Sequence, residues 1–263
     1  GNITDSGTVT VAGTSNFTTS ADNQVITLNS TNALSGAVTF TTNGTTGNVT
    51  IDNGTTALDF AASSIDGSLT ATSGNVGGIT DSGTVTVTGA GSFTTDANSG
   101  VLNLNQLAVT GSLTLNTNGT GTATIVNATA IDLAANARLA GATSITATTG
   151  NITDSGTFTV GAGGATFVTT ANDATINLGT LAVTGDITLT TNDDAGADAS
   201  ASITNATAIS FGASTVDGAL TAIATTGTIT DTGALTVGGA GSFTTAQNDQ
   251  AITLDTTTNA ITG

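Results

Sequence analysis

The chain has 263 residues and a net charge of −17, from eighteen Asp and a single Arg; it contains no Lys, Glu, His, Cys, Pro, Met, Trp or Tyr. With no basic patch it repels nucleic-acid phosphate and anionic lipid, and nucleic acid is not expected as a partner. Without Cys or His there is no disulfide, no thiolate metal site, and no Ser-His-Asp or Cys-His nucleophile.

The first residues, GNITDSGTVTV from Gly1 to Val11, set the pattern for the rest. The same alternation is clearest in TVTVTG, Thr84 to Gly89. Val85 and Val87 point to one face and Thr84, Thr86 and Thr88 to the other, the period of a strand. Val, Ile and Thr favour strands, and the abundant Gly, Asn and Asp supply turns. The three-and-four apolar spacing of a helix occurs over no useful length. The chain is predicted to be all-β. No apolar run is long enough for a membrane-spanning helix, and no signal peptide is expected in this stretch.

The opening phrase returns as GGITDSGTVTV from Gly77, GNITDSGTFTV from Gly150 and GTITDTGALTV from Gly227. Its Ile recurs at Ile3, Ile79, Ile152 and Ile229, 76, 73 and 77 residues apart. Phe17, Phe93, Phe167 and Phe243 follow the same period, and Phe60, Leu133 and Phe211 form a second series. The copies are about 1–73, 74–149 and 150–226, with a partial fourth over 227–263. Inside each, a Gly-punctuated unit recurs every 21 to 33 residues, two short and one long. A short unit is the size of one coil of a parallel β-helix. The extra residues of the long unit form either a wider coil or a protruding loop.

The predicted fold is therefore a right-handed parallel β-helix, or β-solenoid, of about 75-residue repeats with three coils each. Residues 1–263 are expected to form one continuous solenoid, an excerpt of a longer protein because both ends fall within a repeat. At the strand spacing of roughly 4.8 Å per coil, the rod is on the order of 50 Å long. The alternative is an array of β-sandwiches. It lacks the Trp and Tyr to anchor separate small cores and the Pro or polar linkers to join them.

Ile3, Phe17, Phe60, Ile79, Phe93, Leu133, Ile152, Phe167, Phe211, Ile229 and Phe243 are the predicted core. Asp5 with Gly7, Asp81 with Gly83, Asp154 with Gly156 and Asp231 with Gly233 are the predicted turns. There, Asp accepts local backbone N–H bonds and Gly takes a positive φ. Three coils place successive Asp residues roughly 14 Å apart, too far to share an ion.

Asp193, Asp194 and Asp198 in TNDDAGADAS are a weak calcium candidate; the spacing matches neither an EF-hand nor a glycine-aspartate roll, and a solvated acidic loop is the simpler reading. No other cofactor is expected. Arg138 is the only base, and its counterparts are Ser64 and Thr215, so the architecture does not require it. Paired carboxylates could hydrolyse a glycoside, but no Asp pair is set apart from its neighbours, and the chain is not expected to be an enzyme. Repeated Thr-x-Thr matches the pattern of ice-binding solenoids, although unequal coils suit a flat lattice poorly and Thr is the β-branched residue that tolerates water. Asn-x-Ser/Thr occurs at Asn2, Asn16, Asn29, Asn43, Asn48, Asn53, Asn118, Asn127, Asn151 and Asn205, as frequent Asn and Thr produce by chance.

The phrases GNITDSGTVTV, GSLTATSGNV and GSLTLNTNG resemble the repetitive shafts of filamentous-haemagglutinin-like bacterial surface adhesins exported by two-partner secretion. The resemblance covers the whole chain and lies in a style of repeat. It implies an extracellular or cell-surface rod used as an adhesive shaft or fibre. Its partners would be neighbouring repeats or other copies, stacked end to end or laterally, and a host-cell or glycan surface. A ligand-binding solenoid, taking glycan, ice or calcium on its Thr, Asn and Asp faces, is the alternative. If ITDSG is a core Ile followed by a turn, replacing an Ile3-type residue with Asp disrupts the rod while Asp5-type residues tolerate Asn. Equal loss of thermal stability in both variants would overturn that assignment.

Overall fold

The computed structural model describes residues 1–136, 138–192, 194 and 198–263, and all regular structure among them is β-strand. It comprises two compact units, one of Gly1–Thr129 with a short segment ending at Ala140, the other of Ala130–Asn136 with Gly141–Gly263. Each is a parallel β-solenoid, as expected from the sequence.

In the first unit one sheet stacks Ile3–Thr4, Ile26–Leu28, Val49–Asp52, Leu69–Ser73, Gly91–Asn98 and Leu113–Asn118. The facing sheet begins with Ser15–Asp22 and Val38–Asn43, followed by two paired half-strands, Leu58–Phe60 with Ser63–Ile65 and Ile79–Asp81 with Val85–Val87. It ends with Leu102–Val109 and Ala123–Asn127. A coil thus has one straight wall and one bent wall with a corner between its halves. In the first two coils the bent wall is on the side of Ile3 and Ile26, whose second halves are Thr10–Val11 and Ala33–Leu34. From Leu58 onward the bent wall is on the other side.

The change of side follows from the repeat length. Ile3 pairs with Ile26, Ile26 with Val49 and Val49 with Leu69, which completes three coils. Ile79, the next copy of Ile3, comes half a coil later, on the opposite sheet between Leu58 and Leu102. The second unit repeats the construction. Ile152 pairs with Ile176, Ile176 with Ala201 and Ala201 with Leu220, while Ile229 lies opposite, between Ile209 and Ile252. Each repeat therefore holds the expected three coils and a further half. The long unit from Gly36 to Gly67 is one and a half ordinary coils; it forms neither a wider coil nor a protruding loop.

The strands form because alternation matches the pleat. Val38–Asn43 and Leu113–Asn118 bury every second residue, two apolar side chains and then a Thr, and leave the intervening Thr and Asn at least partly exposed. Phe60, Ile79, Phe93, Leu133, Ile152, Phe167, Phe211 and Ile229 are fully buried. Ile3, Phe17 and Phe243 are half-buried, because the coils that hold them are covered on one side only. The two Phe series converge inside the first unit. Phe17 stacks on Phe40 at 5.6 Å between ring centroids, Phe40 lies 6.0 Å from Phe60, and Phe60 meets Phe93 edge-on at 6.3 Å. Phe60 and Phe93 come from opposite sheets, so this contact ties the two walls together.

Half-coil switching leaves an unfinished ladder wherever a bent wall gives way to a straight one. Three fully buried asparagines complete it. Asn53 accepts from Leu34 N at 2.8 Å and donates to Leu34 O at 3.0 Å. Asn127 makes the same pair with Val109, at 2.8 and 2.9 Å, and Asn205 with Val183, at 2.8 and 2.9 Å. Each side-chain amide replaces the peptide that a further half-strand would have supplied. These residues fit the Asn-x-Thr pattern, but burial closes them to glycosylation in the folded chain. Asn205→Leu orphans the buried N–H of Val183, while its C=O keeps the Thr207 hydroxyl at 3.0 Å, and the change is expected to cost about 1–3 kcal/mol. Chemical denaturation of the second unit, followed by amide exchange at Val183, measures it.

Candidate functional site at the coil corners

The corner of the bent wall carries the recurrent phrase, and its three polar positions have separate tasks. Asp5 accepts from Asn29 N at 3.2 Å, Ser30 N at 3.1 Å, Ser30 Oγ at 3.0 Å and Asn32 Nδ2 at 2.8 Å. Asp81 accepts from Asn105 N at 2.9 Å and Gln106 N at 2.8 Å. Asp154 accepts from Gly179 N at 2.9 Å, Thr180 N at 2.7 Å and Thr180 Oγ1 at 2.8 Å. Asp231 takes Asp255 N at 3.0 Å, Thr256 N at 3.3 Å and Asn259 Nδ2 at 2.5 Å. All these donors belong to the next coil. The Asp residues therefore make inter-coil clamps rather than the local turn bonds expected from Asp-Ser-Gly.

The hydroxyl beside three of the four Asp residues bonds in the opposite direction. Ser82 Oγ donates to Asp59 at 2.8 Å, Ser155 Oγ to Asp132 at 2.8 Å and Thr232 Oγ1 to Asp186 at 2.9 Å, each to an earlier coil. The glycine fills a third requirement, and positive φ is not it: Gly7, Gly83, Gly156 and Gly233 all lie outside that region. A Cβ on Gly83 would come within 2.5 Å of Ala62 N, one on Gly156 within 2.5 Å of Ala135 N, and one on Gly233 within 2.4 Å of Ala213 N. The residue is glycine because the corner beneath approaches too closely for a side chain. Gly7, in the first coil, has no such neighbour.

The carboxylates differ electrostatically. Burial pushes Asp81 above the ordinary value of 3.8, and Asp59 adds to this, against the pull of the Gln106 and Asn105 N–H groups. At Asp5, burial also acts upward, but the Asn32, Ser30 and Asn29 donors outweigh it and hold the carboxyl below 3.8. Asp231 is lowered likewise, by Asn259, Thr256 and Asp255 against burial. A carboxyl whose folded pKa is lowered stabilises the fold above its unfolded value, and this is lost as pH falls through the folded pKa. Asp81 has the opposite sign, since its ionisation costs stability as pH rises through its raised value.

Asp5 and Asp81 lie on opposite sheets of the first unit, and Asp154 and Asp231 on opposite sheets of the second, so neither pair converges on a shared ligand. Asp193 lies outside the described residues, and Asp194 and Asp198 are exposed. Among the described residues no three His, Cys, Asp or Glu side chains group as metal ligands. Arg138 is exposed, with its backbone joined to Thr117 and Asn116. The site elements that sequence reasoning missed are Asn53, Asn127 and Asn205, and a row of buried threonines. Thr42, Thr95, Thr117, Thr169 and Thr191 turn inward and donate to the carbonyl of Gly47, Gly100, Gly121, Ala174 and Ala199, closing the loop after the strand.

Two outcomes are expected. Asp154→Asn loses one acceptor face against three donors and is expected to destabilise the second unit by about 1–2 kcal/mol, the scale of a charge-assisted bond discounted for partial exposure. This revises the tolerance expected from sequence, and denaturant midpoints measure it. Carbon-detected titration of the carboxyls is expected to show Asp81 protonating above the ordinary aspartate value and Asp5 and Asp231 below it. The reverse order would remove the clamp assigned to Asp5.

A family profile described as repeats of unknown function (DUF5649) matches residues 1–41, 46–101 and 196–263. No curated protein and no solved structure matches the chain significantly.

Proposed function

The chain belongs to this repeat family, and on that premise we propose that it is a structural, adhesive shaft or fibre segment of a giant repetitive protein on the cell surface. The observation that carries the reading is the corner itself. Its Asp and hydroxyl side chains fasten one coil to the next, and its Gly admits the corner beneath. Ladders, clamps and buried amides recur in both units with the same half-coil step. A protein that spends its polar residues on continuity suits a load-bearing, passive role, and the reading assigns it no catalysis.

The resemblance to filamentous-haemagglutinin-like shafts supports an extracellular location and a host-cell or glycan target. The net charge of −17 keeps a Thr-rich surface soluble and discourages lateral collapse onto like-charged neighbours. Neighbouring repeats, stacked through their coil edges, are the natural partners. Antibody raised against the 263-residue chain is expected to label intact, unpermeabilised cells, with protease treatment of whole cells removing the signal. Labelling that requires permeabilisation would overturn the surface assignment.

A further inference from the structure

The second unit contains a notch of about 220 Å³ lined by Thr157, Gly179, Thr180, Leu181, Thr204, Ala206 and Thr225. It sits where the corner column ends. Below it the wall is bent, through Ile152–Asp154 with Phe158–Val160 and then Ile176–Val183. Above it Ala201–Asn205 and Leu220–Ala224 are straight, leaving a step. The step comes from the half-coil switch, and Gly179 deepens it.

Gly179 is the residue whose N–H meets the phrase carboxylate. Its counterparts are Asn29, Asn105 and Asp255. Nothing in the backbone demands glycine there. Its φ is not positive, and the nearest atom to an added Cβ is Asp154 Oδ1 at 3.9 Å, an ordinary contact. The missing side chain is thus a departure from the repeat that the fold does not require, and its effect is open space beside hydroxyls.

The lining defines the ligand chemistry. Ala206 is exposed and supplies the accessible apolar surface, while Leu181, also in the lining, is buried. The hydroxyls of Thr157, Thr204 and Thr225 have no partner in the protein among the described residues. Thr180 Oγ1 donates to Asp154 and keeps its lone pairs for an incoming donor. No lining side chain is charged. The one nearby carboxylate, Asp154, already accepts three hydrogen bonds. A cation would find no free charge, and an anion would find only repulsion in a chain of net charge −17. The volume holds roughly seven waters at ~30 Å³ each, below the size of a drug pocket and suited to one small polar ring.

We propose that this notch is a subsite for one neutral sugar residue, free or at the end of a glycan. Vicinal hydroxyls of the sugar exchange hydrogen bonds with the Thr157, Thr180, Thr204 and Thr225 side chains, and its apolar ring face lies on Ala206. No aromatic ring lines the notch for stacking, so the affinity of a single site is about millimolar. The proposal does not depend on the shaft reading; sugar binding and surface labelling can each fail without the other.

The test uses the whole chain, nitrogen-15 labelled and titrated with glucose, galactose, mannose and N-acetylglucosamine, with glycerol as the control polyol. At least one sugar is expected to give saturable amide shifts confined to the residues that line the notch, Thr157, Gly179 and Thr180 among them. Gly179→Asn restores the residue found at Asn29 and Asn105; it is expected to weaken binding about tenfold or more with the melting temperature unchanged. Thr225→Val, nearly isosteric, is expected to weaken it several-fold. Absence of saturable shifts with all four sugars, equal shifts with glycerol, or shifts that both variants leave intact would overturn the proposal.

Discussion

A single coil of this chain cannot bury its own aliphatic face, and it gains a core only by lying in register on the coil beneath. Every backbone hydrogen bond of a wall depends on that register, because a slip by one residue would turn Val and Ile outward and Thr inward. The corner is where slippage would start, since the chain bends there and the ladder is interrupted. The Asp carboxylate that reaches up, the hydroxyl that reaches down and the glycine that admits the corner below are three fixings of one register at its weakest point. Their recurrence at Asp5, Asp81, Asp154 and Asp231 follows from that need.

A second demand comes from the half-coil. When the bent wall changes sides, a half-strand such as the one ending at Val183 loses the neighbour it would have paired with. Water cannot enter a wall packed this closely, so the deficit must be met from within. Asn is the side chain that presents both halves of a peptide group, and Asn53, Asn127 and Asn205 occupy the three switch points. Polar residues thus do two kinds of work in a chain with almost no charge pairing. Half-buried carboxylates fix coils to each other, and buried amides mend the ladder. The inward threonines of several straight strands, Thr95 and Thr169 among them, extend this economy to the loops.

Much of this was legible in the sequence, and the parts that were not share a cause. Alternation in TVTVTG identifies strands, and the recurrence of Ile79 and Phe93 identifies the repeat, because both are patterns along the chain. The inward Thr95 lies two residues after Phe93, so the same alternation places it inside, but a polar side chain does not announce a core position. Asn205 reads as a sequon or a turn, although its recurrence with Asn53 and Asn127 after an apolar-x pair was an available signal. The direction of the Asp bonds is invisible locally, because Asn29 and Ser30 lie a full coil from Asp5. The half-coil could have been inferred from arithmetic, since the long unit from Gly36 to Gly67 is one and a half times its neighbours.

That half-coil sets a rule for how such a chain can vary. Gain or loss of a single repeat within a unit turns everything stacked beyond it through half a circle, while a change by two repeats, seven whole coils, restores the original facing. Length and orientation are therefore coupled, and the parity of the repeat number decides which flank a given corner presents. A lineage that must keep one flank toward a target can lengthen or shorten only in even steps, whereas odd steps exchange one flank for the other without altering a single residue.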